Sequence, residues 1–82
     1  MPRLTADIDG VHYTVPSYSD GTTTKPFTEI HNYMTVSVDD HRRLTVNIGQ
    51  YGPFHPEDVV EVTAGGEVVL NGKPLRSTTQ NS

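Results

Sequence analysis

The 82-residue chain contains no cysteine, no tryptophan and only two alanines. Without cysteine there is no disulfide to brace a small fold and no thiolate to bind a metal. Two alanines against ten valines and eleven threonines exclude a helical bundle, a coiled coil and a nucleotide-binding α/β domain. Long hydrophobic runs are also missing, which excludes a membrane-spanning helix. The start, Met1-Pro2-Arg3-Leu4-Thr5, lacks the apolar stretch of a signal peptide. Positive charge is scarce: 6 basic against 10 acidic residues leave a net charge of −4. The basic doublet Arg42-Arg43 follows directly on Asp39-Asp40, so no basic stripe exists to neutralise phosphates. Nucleic acid and anionic membrane surfaces are therefore not expected as partners. A cytoplasmic or virion-associated location is expected.

What remains is one small all-β domain spanning residues 1–82. Hydrophobic residues make up 33% of the chain. They recur with period two, the strand signal. Asp9-Gly10 reads as a two-residue hairpin turn that sets Ile8 opposite Val11, Ala6 opposite Tyr13 and Leu4 opposite Val15. Residues 16–28 read as a long polar connection crossing between sheets or edges. Residues 29–38 read as one strand with Ile30, Met34, Val36 and Val38 on the apolar face. His31, Tyr33, Thr35 and Ser37 then lie on the polar face. Pairing that strand with residues 43–49 sets Val38 opposite Leu44, Val36 opposite Val46 and Met34 opposite Ile48, across a turn at residues 39–43. Residues 50–57, with two prolines and a glycine, read as a loop. Val60 and Val62 then pair with Leu70 and Val68 across Ala64-Gly65-Gly66. Asn71-Gly72 turns into a last strand that Pro74 marks as an edge. Residues 77–82 read as a flexible tail. The expectation is about seven short antiparallel strands, in the order hairpin, crossover, hairpin and three-strand meander. They form a small sandwich or a partly open barrel.

No catalytic constellation stands out. The four histidines show no His-x-His or His-Glu-x-x-His spacing, and His12 most simply pairs with Asp7 across the first hairpin. No serine sits in a nucleophile elbow, and no glycine pair precedes a helix that would hold phosphate. No cofactor, no metal and no enzymatic activity are expected. A small metal-assisted enzyme using His12, His31, His41 and His55 is the alternative from another class. Two places read as candidate binding surfaces. One is the loop carrying Tyr51, Phe54 and His55, where two aromatics either form a recognition surface or plug the end of a thin core. The other is Tyr33 with His31 on the outward face of the long strand.

Residues 44–72 include Leu44-Thr45-Val46-Asn47-Ile48, Phe54-His55-Pro56-Glu57-Asp58-Val59-Val60-Glu61-Val62 and Gly66-Glu67-Val68-Val69-Leu70-Asn71-Gly72. This stretch resembles the first half of the α-crystallin domain of small heat-shock proteins, and the resemblance implies a small chaperone-like oligomer. That family's Leu-Pro-Gly turn is replaced here by Gly49-Gln50-Tyr51-Gly52-Pro53. Residues 58–75 are also similar to a β-hairpin of type I signal peptidases, without that family's catalytic serine or lysine segments. The residues themselves favour a non-enzymatic module for protein–protein contact or self-association. A phage or bacterial accessory, structural or inhibitor protein fits that description.

Overall fold

The computed structural model describes residues 2–76. The tail expected at residues 77–82 lies outside the described residues. Ten strands and no helix are present among them: β1 (Arg3–Ile8), β2 (Val11–Pro16), β3 (Gly21–Thr23), β4 (Phe27–His31), β5 (Met34–Val38), β6 (Leu44–Val46), β7 (Gly49–Tyr51), β8 (Val59–Val62), β9 (Val68–Leu70) and β10 (Lys73–Leu75). They form a six-stranded sheet, ordered β10-β9-β8-β2-β1-β3, and a four-stranded sheet, ordered β4-β5-β6-β7. Neither closes into a barrel. The inward faces of both sheets meet in one core of Ala6, Ile8, Val11, Tyr13, Val15, Val60, Val62 and Val68 from the first, and Met34, Val36, Val38, Leu44 and Val46 from the second. The architecture is a sandwich.

Tight turns explain the pairing. Asp9-Gly10 and Asn71-Gly72 have positive φ at both residues, the type I′ geometry that matches strand twist. Their registers, Ile8↔Val11 and Leu70↔Lys73, are those read from the sequence. Across Ala64-Gly65-Gly66, Thr63 N–H donates to Glu67 O at 2.8 Å and Gly66 takes the positive φ, so Val62 meets Val68 as expected. Asp39 N–H donates to Arg43 O, and the Asp39 carboxylate accepts the N–H groups of His41 and Arg43. That closes a three-residue loop and places Val38 opposite Leu44.

Four expectations are corrected. The stretch 29–38 is a hairpin rather than one strand, because Asn32 and Tyr33 both adopt positive φ and form a type I′ turn. His31 therefore sits opposite Met34 and faces the core, while Ile30 faces out. The next strand also ends early. Asn47 turns with positive φ, its N–H donates to Thr35 O and its side chain accepts the Thr35 N–H, so Ile48 is exposed rather than opposite Met34. Residues 50 and 51, read as the start of a loop, join Gly49 in β7 on the far side of β6. Finally, the sheets are not purely antiparallel. β3 lies inside the expected 16–28 connection and adds to β1 in parallel, and β8 adds to β2 in parallel. Parallel partners need a long crossover, so hairpin logic cannot see them.

Gly10 shows how closely the turns are held. Its φ is +85°, and a Cβ there would stand 3.1 Å from Pro56 Cβ, in the loop whose Glu57 N–H donates to Gly10 O. Gly10→Ala is expected to destabilise the fold by about 1–2 kcal/mol, from left-handed strain plus displacement of that loop. A urea midpoint equal to wild type would contradict this.

Candidate functional site

The loop of residues 52–58 is pinned by main-chain bonds to the turns at Arg42 and Gly10. Phe54 is 3% exposed, its ring meets Tyr13 edge-on at 6.0 Å, and its N–H donates to Arg42 O at 2.8 Å. Close approach here requires Gly52, since a Cβ would fall 2.8 Å from that same carbonyl. Tyr51 is half-buried against the core. His55 is exposed, and its N–H donates to the Asp58 carboxylate, which also accepts from the Asn71 amide. These bonds hold the Asp58 carboxyl below its ordinary range, the His55 N–H contributing most. Of the three loop residues read as binding candidates, Phe54 plugs the core, Tyr51 leans on it and only His55 lies open.

The second candidate pair, Tyr33 and His31, does not share a face. His31 is buried among inward residues with its Nδ1 lacking a hydrogen-bond partner, and the Tyr18 ring lies tilted over it at 4.5 Å. Tyr33 is fully exposed at the tip of the β4–β5 turn. Sequence reasoning missed what surrounds it. Ile30 and Ile48 are 64% and 87% exposed, and Tyr18 is 69% exposed with its hydroxyl accepting the Asn32 N–H. β5 and β6 run antiparallel, so the turns at 32–33 and 47–48 stand at the same end of the four-stranded sheet. Most other large apolar side chains are buried or packed on the core. The signal was an asparagine followed by a large apolar residue, which marks a tight turn that leaves the second side chain unburied.

β4 is also an edge strand. In a two-residue hairpin His31, Glu29 and Phe27 bond to β5, which turns the N–H and C=O of Ile30 and Thr28 outward. No backbone partner meets either residue on that side among the described residues. Glu29 points inward, where Ser17 Oγ donates to it at 2.6 Å. One edge of the six-stranded sheet, β10, is blunted differently: Pro74 falls at its outward-facing position and has no N–H to offer.

His12 contacts Asp7 across the first hairpin, as the register implies. His41 lies beside Asp40 in the 39–43 turn. Among the described residues, no three His, Asp or Glu side chains converge on a point, and no helix is long and apolar enough to cross a membrane.

No protein-family model, curated protein or solved structure matches this chain. The two hairpin resemblances are accordingly carried by local turn chemistry. The α-crystallin-like stretch is divided, with β6 and β7 in one sheet and β8 and β9 in the other.

Phe54→Ala should lower stability by about 3–5 kcal/mol, as for a core aromatic; a shift under 1 kcal/mol in denaturant melts would return Phe54 to the surface. Burial, followed by Asp39 and Asp9, pushes the Tyr13 phenol up to about 12 from 10.0. The folded state therefore favours the neutral phenol. That stability is complete below pH 10 and is lost as pH rises through about 12. Tyr13 Oη has no hydrogen-bond partner, so Tyr13→Phe should keep neutral-pH stability and flatten the melting curve's decline above pH 10. An unchanged alkaline decline would refute the assignment.

Proposed function

We infer that this domain is a contact module without catalysis, which docks or assembles through the β4 end of its four-stranded sheet. Tyr33 is the observation that carries the reading. An aromatic side chain at φ +64° is strained relative to glycine, and with 103% exposure no contact within the chain compensates. Strain held at a fully exposed aromatic is explained by a partner that uses the ring. Ile30 and Ile48 add apolar surface at the same end, and the outward N–H and C=O of β4 add directional bonding. The inward Glu29 guards this edge in the absence of a partner, since a charge facing the core discourages indiscriminate strand addition.

Tyr33→Gly separates function from folding. It should leave the melting temperature equal or higher, by up to about 1 kcal/mol of stability, while reducing capture of the protein's partner, or of further copies, from its native host. Loss of stability together with unchanged capture would sink the reading.

A further inference from the structure

We propose that the contact, on the reading just given, is with a second copy of this chain, its β4 pairing antiparallel to β4 about a two-fold axis at Ile30. The pairing turns two four-stranded sheets into one continuous sheet of eight. The strand edge is self-complementary in that register. Ile30, exposed with its N–H and C=O outward, meets the partner's Ile30 in a hydrogen-bonded pair. On the inward side Glu29 stands opposite the partner's His31. Glu29 spends one carboxylate oxygen on Ser17, and His31 Nδ1 has no hydrogen-bond partner within its own chain. A register centred on Glu29 instead would set two carboxylates face to face, which is unfavourable.

The ends of the strand match as well. The axis at Ile30 sets the β4–β5 turn, which carries Tyr33, at the same end as the partner's Phe27. There the outer face carries a shallow cavity of about 410 Å³ lined by Pro26, Phe27, Thr28, Val38, Asp39 and Arg43. Each chain thus offers an exposed aromatic knob at one end of β4 and a recess at the other. A two-fold operation brings each knob to the end of the pair that carries the partner's recess. Tyr18, bonded to the Asn32 N–H, marks the limit of the pairing, since Asn32 has already left extended backbone.

Sedimentation equilibrium of the full chain, from micromolar to millimolar concentration, should give a dimer. Ile30→Lys, a surface change that sets lysine opposite lysine, should weaken it about tenfold or more while leaving the circular dichroism spectrum unaltered. The chain has no cysteine of its own, so single-cysteine variants read the register directly. Ile30→Cys should form a disulfide-linked dimer under mild oxidation, because symmetry places the two sulfurs on opposite strands at the axis. Thr28→Cys should stay unlinked, its two copies offset by four residues, roughly 13 Å along the strand. A monomer at every concentration, or a dimer in which Ile30→Cys stays unlinked, overturns the self-pairing. If that monomer loses a captured host protein on Tyr33→Gly, the contact reading survives with a different partner. If capture is also indifferent to Tyr33, both fail.

Discussion

Four two-residue turns set the parity of eight of the ten strands, and every other feature of this molecule depends on that parity. In a strand the side-chain period is two, so a turn that closes one residue early sends a whole strand's apolar set to solvent. Asp9-Gly10 and Asn71-Gly72 use glycine at the second position. Asn32-Tyr33 and Asn47-Ile48 place a large side chain there instead. Asparagine tolerates positive φ and can also accept a backbone hydrogen bond. Asn47 and Asn71 do so in the same way, each bonding by main chain and side chain to the neighbouring strand, at Thr35 and Val59. The turn thereby stitches its hairpin to the next strand as well as closing it.

That device lets a composition poor in apolar residues build an adequate core. With 33% hydrophobic residues the chain cannot spare many, yet fourteen are buried in a single cluster between the sheets. Phe54, delivered from a loop rather than a strand, fills one end against Tyr13. The loop is held by main-chain bonds to a turn of each sheet, through Arg42 O and Gly10 O. A proline-rich connection therefore acts as a clasp, and of the two sequence readings of its aromatics, recognition surface or core plug, Phe54 follows the second.

The surface that remains is uneven. Of the four edge strands, β10 is blunted by Pro74, while β4 keeps its outward N–H and C=O groups and an exposed isoleucine. Glu29 on its inner side and Tyr18 at its end restrict what can add there, and Tyr33 stands beside it in a strained, solvent-filled position.

The amino-acid sequence by itself determined the fold class, the first hairpin and the β8-β9-β10 meander, because these rest on nearest-neighbour turns with glycine in place. Val36 and Val38 were likewise placed correctly, since a short loop closed by Asp39 links them to Val46 and Leu44. Tertiary structure alone decided that β3 joins β1 and β8 joins β2, pairings between segments whose ends no local turn connects. It also decided that His31 faces inward and Ile30 outward. An unbroken alternation through Asn32-Tyr33 and a hairpin turning there predict opposite faces for the residues before the turn. Local propensity does not separate them; burial does, because only the hairpin sets β4 at a sheet edge where Glu29 meets Ser17 and Phe27 reaches the core.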